Sequence, residues 1–331
     1  MRAVQAVEAG QPFTVTDIPT PRPGPGQVRV RVHACGVCGG DTLARAGMLG
    51  VRLPRVPGHE IAGVVDTVGE GVSAWKAGDR VGVGWHGGHC FTCDACRAGD
   101  FVNCADRTII GLHADGGYAE YTVVSQHVLA RVPDALTLEE AAPLMCAGIT
   151  TFNSLRHGGA RPGDTVAVQG VGGLGHLGIQ YANKMGFRVV AVNRGTEKEA
   201  TARELGAHEY VDSTKGSVGE ALARLGGAAF VLSTVGDSQA QGDLVQGLAP
   251  NGRLVIVASE HTPVPVGPDP LVFGRRSVGG WYSGHAKDSE DAMAFAALTG
   301  VRPIVQTYAL EEAETAYQSM GKARYRGVLT M

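Results

Sequence analysis

The most constraining feature of this sequence is a glycine-rich turn between an apolar run and a segment with helical character. The apolar run covers residues 166–169, the turn covers 170–175, and a second apolar run ends at Val192. Glycines in such a turn let the backbone approach a pyrophosphate, which then lies at the N-terminus of the following helix. The turn alone is a weak signal, but a second strand ending about twenty residues later strengthens it. We therefore predict a dinucleotide-binding fold whose turn residues are Gly170, Gly172, Gly173, Leu174 and Gly175.

Strand and helix patterns alternate through the second half of the chain. Apolar runs at 188–192, 230–234 and 253–258 are separated by helical segments such as 198–205. This alternation is typical of a parallel, doubly wound sheet. The first half differs, because residues 27–33 alternate with period two and the neighbouring segments are short and β-rich, which predicts a folded-over β domain.

A chain of 331 residues is too long for one ordinary domain, so we expect an α/β protein of two domains. After residue 289, helices at 290–298 and 311–320 and a strand at 325–330 are predicted to return to the first domain. The predicted division is a β-rich domain of residues 1–148 and 289–331, and a dinucleotide-binding domain of residues 149–288.

Charge and hydropathy argue against several partners. The 29 basic and 32 acidic residues leave a net charge of −3, with no stripe of Lys or Arg to follow phosphates, so nucleic acid is not expected. The longest uncharged stretch, 165–183, is interrupted by five glycines, so no membrane span is expected. The N-terminal residues lack the pattern of a secretory signal, which favours a cytoplasmic location.

Four of the seven cysteines are spaced C-x2-C-x2-C-x7-C. Thiolates at this density indicate a metal, and tetrahedral zinc accepts four sulfurs. An iron–sulfur cluster is the rival, but the corresponding motif has its fourth cysteine after three residues with a proline behind it. A nucleic-acid zinc finger would need paired histidines and a basic helix, and four unrelated cysteines are the remaining alternative. We predict a lobe of residues 86–105 with a structural zinc bound by Cys90, Cys93, Cys96 and Cys104.

Three further candidate ligands are scattered along the chain: Cys38 in a Gly-Val-Cys motif, His59 in Gly-His-Glu, and Cys146 in Met-Cys-Ala-Gly. Taken singly, each residue is weak evidence for a metal site, because a lone cysteine is more often a small core residue than a ligand. Together with the four-cysteine lobe, however, these motifs resemble zinc-containing alcohol dehydrogenases of the medium-chain dehydrogenase/reductase superfamily, over essentially the whole chain. The resemblance implies a GroES-like catalytic domain, a Rossmann domain and interconversion of an alcohol with an aldehyde or ketone.

The resemblance also implies roles for individual residues. It assigns Cys38, His59 and Cys146 to a catalytic zinc with a fourth position open, so that each chain is expected to bind two zinc ions. It makes Asp41 the carboxylate that orients His59, and Glu60 a nearby acid that approaches the metal. Cys35 lies too early to match and is expected to be a packed thiol. The partners expected are a small alcohol or aldehyde and further copies of the chain, as a homodimer or homotetramer.

The chain departs from the family pattern near the first zinc cysteine. Family members usually carry Ser or Thr where this chain has Gly40, a basic residue at the position of Gly39, and a histidine at the position of Leu43. Those groups relay the substrate proton or contact the cofactor. A general acid or base must lie within hydrogen-bond reach of its proton, so Thr42, His86 or water is left to act here.

The cofactor preference is predicted from the end of the second strand. An acid there would bind the ribose 2′-hydroxyl of NAD, but the chain has Asn193 followed by Arg194. Because Arg194 can pair with a 2′-phosphate, NADP(H) is favoured. If Arg194 is only an exposed charge on a loop, Asn193 can bind the ribose of NAD(H) instead.

Trp85 precedes the cysteine lobe, where the family's substrate pocket receives a large apolar side chain. A core tryptophan is the alternative. An apolar pocket suits a primary aliphatic or aromatic alcohol or the corresponding aldehyde. A zinc-independent quinone or enoyl reductase is disfavoured because such reductases lack both cysteine sets. A non-catalytic zinc protein on this scaffold is the third hypothesis, and Gly40 and Leu43 favour it slightly.

Overall fold

The computed structural model describes residues 1–258, 261–320 and 325–331. The chain divides into two compact units, one of Met1–Ile149 with Ser283–Met331 and one of Thr150–Tyr282. The sequence placed the return to the first unit at 289, whereas the structure places it at Ser283. These additional residues belong to the first unit because the His285 ring packs against Phe101, with 5.5 Å between ring centroids.

The first unit is rich in strands, as its alternating sequence predicts. In β3 the side chains of Val28, Val30 and Val32 are buried while their neighbours face outward, so period-two patterning places one face on the core. Its N-terminal strands are β1 (Arg2–Gln5), β2 (Thr14–Asp17), β3 (Gln27–Gly36), β4 (Ile61–Val68), β5 (Arg80–Val83), β6 (His86–Gly88), β7 (Thr108–Ile109), β8 (Tyr121–Ser125) and β9 (Leu129–Arg131). Its N-terminal helices are α1 (Asp41–Arg45), α2 (Asp94–Arg97) and α3 (Leu138–Pro143).

The second unit contains a six-stranded sheet in which every neighbouring pair is parallel. Its strands are β10 (Thr165–Gln169), β11 (Arg188–Asn193), β12 (Glu209–Asp212), β13 (Ala228–Ser233), β14 (Leu248–Ile256) and β15 (Ser277–Gly280). The order β12-β11-β10-β13-β14-β15 is the doubly wound order of dinucleotide-binding domains. The helices, counted from the one that crosses the boundary between units, are α4 (Ile149–Arg156), α5 (Gly175–Lys184), α6 (Glu199–Glu204), α7 (Val218–Arg224), α8 (Ser238–Leu244) and α9 (Pro268–Gly274).

The C-terminal segment completes the first unit with α10 (Ala286–Thr299), β16 (Val305–Ala309), α11 (Ala313–Gln318) and β17 (Arg326–Thr330). β17 pairs with β3, so the main sheet has the order β16-β17-β3-β4-β5-β9, with β8 also on β3. The prediction of an α/β protein with a β-rich domain and a doubly wound parallel sheet is confirmed.

Two boundaries differ from the predicted ones for local reasons. α10 begins at Ala286 rather than 290, because the His285 backbone N–H donates to the Asp288 carboxylate at 2.9 Å and caps the helix earlier. β14 begins at Leu248 rather than 253, because an irregularity in its pairing with β13 absorbs the Pro-Asn-Gly segment. Within the described residues, no helix is both long and apolar enough to cross a membrane.

Candidate active site

Cys38 and His59 are brought together by a pair of antiparallel strands. Cys35 in β3 lies opposite Ile61 in β4, so the residues that follow β3 and those that precede β4 emerge at the same end of the pair. Cys38 follows β3 and His59 precedes β4, and both are buried. Cys35 itself belongs to the apolar core of the first unit.

Cys146 lies in the π-helical turn Leu144–Gly148, which follows α3 directly. Such turns widen the helix locally and are frequent at functional sites. α3 starts from a capping box in which the Thr137 hydroxyl accepts from Glu140 N–H and the Glu140 carboxylate accepts from Thr137 N–H. The Cys146 sulfur lies 3.8 Å from that of Cys38. The donor atoms of Cys38, His59, Glu60 and Cys146 all lie within 4.8 Å of one another.

Asp41 links two of these residues through one buried carboxylate. Its Oδ1 lies 3.2 Å from His59 Nδ1, while its Oδ2 accepts the backbone N–H of Cys38 at 2.9 Å and the Tyr118 hydroxyl at 2.8 Å. Because Asp41 occupies Nδ1, the other ring nitrogen of His59, Nε2, is the donor atom available to the cluster of Cys38, Glu60 and Cys146. Sequence reasoning missed Tyr118, which is 77 residues from Asp41 and has no local motif that marks it.

Glu60 is paired with a second residue that the sequence did not point to, Arg326 in β17. Both side chains are buried, with exposures of 0% and 5%, and Glu60 Oε1 accepts from the Arg326 guanidinium. Burial raises the pKa of Glu60 to about 8, against the opposing effect of Arg326. Nothing in the local sequence reveals this pair, because its members are 266 residues apart.

The donor set fits a zinc ion. His59 Nε2 and Glu60 Oε2 are buried and have no hydrogen-bond partner within the described residues. Leaving such groups unpaired is unfavourable unless another partner binds them. The hydrogen bond with Cys146 lowers the pKa of Cys38 well below its usual range, whereas the same bond together with burial raises the pKa of Cys146, so the pair favours one thiolate at Cys38. Two sulfurs and an imidazole nitrogen are ligands that zinc prefers.

Trp85 lies directly beside this group. Its ring stands perpendicular to that of His59, with 4.7 Å between centroids and an interplanar angle of 89°. Together with Leu43 and Val51 it is partly buried against a small apolar cluster formed by Ala44, Ile109 and Leu112.

The two side chains expected to replace the missing relay groups have other partners. The Thr42 hydroxyl lies 3.0 Å from the Tyr317 hydroxyl. His86 Nε2 lies 2.9 Å from His89 Nδ1, and burial together with the neighbouring histidines lowers the pKa of His86 to about 4. The imidazoles of His86 and His89 therefore belong to a separate cluster of histidine and phenylalanine rings.

The four-cysteine group has the geometry of a tetrahedral thiolate site. Its sulfurs are separated by 4.0 Å for Cys90 and Cys96, 3.9 Å for Cys93 and Cys104, and 3.6 Å for Cys90 and Cys104. Four sulfurs at 2.3 Å from one zinc lie about 3.8 Å apart in a tetrahedron, whereas a disulfide brings two sulfurs to about 2.05 Å. Hydrogen bonds from Thr92 and from Cys93 N–H lower the pKa of Cys90 to about 6, which favours its thiolate form.

In the second unit the glycine turn joins β10 to α5. Gly170 has a φ of +90°, and a Cβ at Gly175 would lie 1.6 Å from the Gly170 carbonyl oxygen, so a side chain is excluded at both positions. A Cβ at Gly172 would meet nothing within 4 Å, so open space adjoins the turn at this residue. Gly173 and Leu174 complete the turn before α5 begins at Gly175. This is the local geometry that a bound pyrophosphate needs.

The end of β11 carries the residues expected to contact the ribose. The Asn193 amide bridges the turn, accepting Val171 N–H at 3.2 Å and donating to the Arg194 carbonyl at 3.2 Å. Arg194 is exposed, and its guanidinium has no hydrogen bond or ion pair within the described residues. Lys198, which the sequence analysis did not single out, donates from Nζ to the Val171 carbonyl at 2.8 Å.

A GroES-like domain with two clusters of metal-binding side chains and a doubly wound dinucleotide domain define a zinc-type, nicotinamide-linked oxidoreductase. Comparison with known proteins agrees: residues 24–134 match the alcohol dehydrogenase GroES-like domain, and residues 173–298 match the zinc-binding dehydrogenase domain. The alcohol dehydrogenase notN of an Aspergillus species is 47% identical over 98% of this chain and 96% of that protein.

Two further proteins extend the likeness. The NADP-dependent alcohol dehydrogenase C 1 of Mycolicibacterium smegmatis is 35% identical, over 99% of this chain and 97% of that protein. The crystal structure of the alcohol dehydrogenase from the archaeon Aeropyrum pernix matches with a TM-score of 0.90 and 30% identity, and the match covers 100% of both chains. The chain therefore belongs to the zinc-containing alcohol dehydrogenases of the medium-chain dehydrogenase/reductase superfamily, as its motifs indicate.

Proposed function

We propose that this protein is a zinc-dependent alcohol dehydrogenase that transfers hydride between a nicotinamide cofactor and a small alcohol or aldehyde. The observation that carries the proposal is the group formed by buried Cys38 and His59 with partly buried Cys146, in which His59 Nε2 has no protein partner among the described residues. The chain belongs to a family of alcohol dehydrogenases, which supports the same activity.

Each residue of the proposed catalytic metal site has a distinct role. Cys38, His59 and Cys146 hold the catalytic zinc, which supplies Lewis-acid polarisation of the substrate oxygen. Asp41 keeps His59 Nδ1 engaged and orients its ring. Glu60, held by Arg326, keeps one carboxylate oxygen within reach of the site.

A second zinc bound by Cys90, Cys93, Cys96 and Cys104 has a structural role, because four protein ligands leave no position for substrate. We therefore propose two zinc ions per chain. Metal-binding thiols and free cysteines suit a reducing compartment, which supports the cytoplasmic location predicted from the sequence. Cell fractionation tests that location.

The substrate proposed is a primary aliphatic or aromatic alcohol, or its aldehyde. Trp85 provides an apolar ring beside His59, and Leu43 and Val51 pack on the same apolar cluster as Trp85; all three side chains are only partly buried. Apolar walls with few polar groups bind the hydrocarbon part of a small ligand.

For the cofactor we propose a preference for NADP(H). Arg194 is exposed at the end of β11 without a protein partner in the described part of the chain. A free guanidinium at that position can form charge-assisted hydrogen bonds with a 2′-phosphate. The M. smegmatis relative is named as NADP-dependent, which supports the same choice.

We further propose a homodimer, with a homotetramer as the larger alternative. β15 is the last strand of the second unit's sheet, and one of its edges has no partner strand within the described residues. The preceding helix α9 exposes Val272 by 66% and Phe273 by 86%. An open strand edge beside exposed apolar side chains favours pairing with another chain. Light scattering on the purified protein tests this assembly.

The activity is tested by following NADPH and NADH at 340 nm with a panel of alcohols and aldehydes. Turnover of primary alcohols or their aldehydes by the zinc-loaded protein is the expected result. Turnover of enones without zinc would instead identify a quinone or enoyl reductase. Zinc without turnover of any member of the panel would identify a non-catalytic zinc protein.

A further inference from the structure

Two side chains of β12 bind the turn that follows β11. Gly195 comes directly after Arg194, and its φ of +69° lies in the left-handed region that favours glycine. Its backbone N–H donates to Asp212 Oδ1 at 2.8 Å, and its carbonyl oxygen accepts the Tyr210 hydroxyl at 2.7 Å. Both polar backbone groups of Gly195 are therefore held by side chains, and we call Tyr210 and Asp212 the Gly195 clamp.

The pairing of the two strands explains how both side chains reach one residue. β11 and β12 run parallel with Asn193 opposite Asp212, so the turn after Asn193 starts beside the C-terminal end of β12. Tyr210 and Asp212 are two residues apart on the strand and therefore point to the same face. The register thus brings the Tyr210 hydroxyl to the backbone of a residue that lies 15 positions earlier in the sequence.

The clamped segment is joined to the glycine turn that follows β10. The Asn193 side chain accepts the Val171 N–H at 3.2 Å, and Lys198 Nζ donates to the Val171 carbonyl oxygen at 2.8 Å. Both backbone groups of Val171 are thus bound by side chains from residues 193–198. Because Val171 lies inside the glycine turn, the parts of the site expected to bind pyrophosphate and ribose form one hydrogen-bonded unit.

Asp212 contacts the residue next to Arg194, and its carboxylate is engaged by several donors. Besides Gly195 N–H, its Oδ1 accepts the Thr214 N–H at 2.9 Å and the Thr214 hydroxyl at 2.8 Å. These hydrogen bonds lower the pKa of Asp212, so the carboxylate is ionised at neutral pH and is a strong acceptor for the Gly195 N–H. The acid therefore anchors the turn to the end of β12.

We propose that Tyr210 and Asp212 are positioning residues for the cofactor, which fix Gly195 and thereby direct Arg194 toward the 2′ position. A glycine without such contacts adopts positive and negative φ about equally, and each sign sends the neighbouring residue in a different direction. The clamp selects one conformation before the cofactor arrives, and such preorganisation improves affinity because less entropy is lost on binding. The proposal rests on the proposed function for the contact between Arg194 and a 2′-phosphate, whereas the fixation of Gly195 does not depend on it.

The proposal is tested by fluorescence titration of the zinc-loaded protein with NADPH and NADH, which needs no alcohol turnover. Tyr210→Phe keeps the ring and removes one hydrogen bond, so the Kd for NADPH should rise about three- to tenfold, while that for NADH should change less than about twofold. Asp212→Ala should bind NADPH about three- to tenfold more weakly than Asp212→Asn. Both Asp212 variants lose the charge and only Asn keeps an acceptor, so their difference isolates the hydrogen bond to the turn.

Tyr121→Phe is the matched control, since the Tyr121 hydroxyl makes no hydrogen bond within the described residues, and both Kd values should equal those of the wild type. In the Arg194→Ala background, Tyr210→Phe should alter the Kd for NADPH less than about twofold, because the residue that the clamp directs is gone. A rise of less than about threefold in Tyr210→Phe alone, or equal weakening of both cofactors, would overturn the proposal.

Hydrogen exchange distinguishes failure of the clamp from failure of the proposed cofactor preference. If Arg194→Ala weakens both cofactors equally, the NADP(H) preference is wrong, and with it the direction given to Arg194. The Gly195 amide should still exchange at least about threefold faster in Asp212→Ala than in Asp212→Asn, because only Asn keeps its acceptor. Equal exchange in the two variants would show that Asp212 does not hold the turn.

Discussion

Replacing Tyr118 by Phe removes one hydroxyl from the support of the catalytic metal site. Tyr118 is fully buried, and its hydroxyl donates to Asp41 Oδ2 at 2.8 Å. The same oxygen accepts from Cys38 N–H, and the other oxygen of Asp41 contacts His59. The variant keeps the ring but leaves Asp41 Oδ2 with a single donor.

The magnitude follows from the charge and burial of this contact. A hydrogen bond to a charged group contributes about 1.5–3 kcal/mol, and loss of an outer partner of a metal ligand typically lowers metal affinity about 10- to 100-fold. We therefore expect zinc to leave the Cys38, His59 and Cys146 site about 10- to 100-fold faster in Tyr118→Phe. Release from the four-cysteine site should not change.

The assay is zinc release into excess chelator with a colorimetric indicator, followed for both metal sites. Tyr121→Phe is the control, because that hydroxyl makes no hydrogen bond within the described residues. Release from the catalytic site within twofold of the wild type, with zinc content unchanged, would refute the positioning role of Tyr118. Equal acceleration at both sites would indicate general loosening of the domain instead.

Two other predictions follow from the metal and cofactor residues. Cys93→Ser should lower the Tm and the zinc content by one ion per chain, because structural zinc contributes folding free energy directly; an unchanged Tm would mean that the lobe holds no metal. Arg194→Asp should raise the KM for NADPH about 10- to 150-fold, the equivalent of 1.5–3 kcal/mol, with a much smaller effect on NADH. Arg224→Asp, an equal charge change on the exposed face of α7, is its control, and equal effects of Arg194→Asp on both cofactors would show that Arg194 does not contact the 2′ position.

Sequence reasoning was most effective where function depends on local spacing. The four cysteines of the lobe lie within fifteen consecutive residues, and the glycine turn joins adjacent elements, so chain connectivity alone places these groups together. The strand and helix rhythm of the second half likewise predicted the parallel sheet, since each crossover requires a helix between parallel strands.

The parts that sequence reasoning missed depend on contacts between distant residues. The partners of Glu60 and Asp41, Arg326 and Tyr118, carry no motif and become visible only when β17 and the loop before β8 pack around the site. Gly40 is similar, because only the packing shows that a Cβ there would lie 2.8 Å from ring carbons of His59 and Trp85. Such steric relations arise from packing and have no signature in the order of residues.

The central claim is that zinc held by Cys38, His59 and Cys146 is required for alcohol dehydrogenase activity, and metal analysis during mild chelation tests it most directly. Protein purified without chelator should contain about two zinc ions per chain, in accord with one four-cysteine site and one three-ligand site. Mild chelation should remove one ion and abolish alcohol oxidation while the Tm remains close to that of the untreated protein. One ion or none at the start, or full turnover after that zinc has left, would contradict the account.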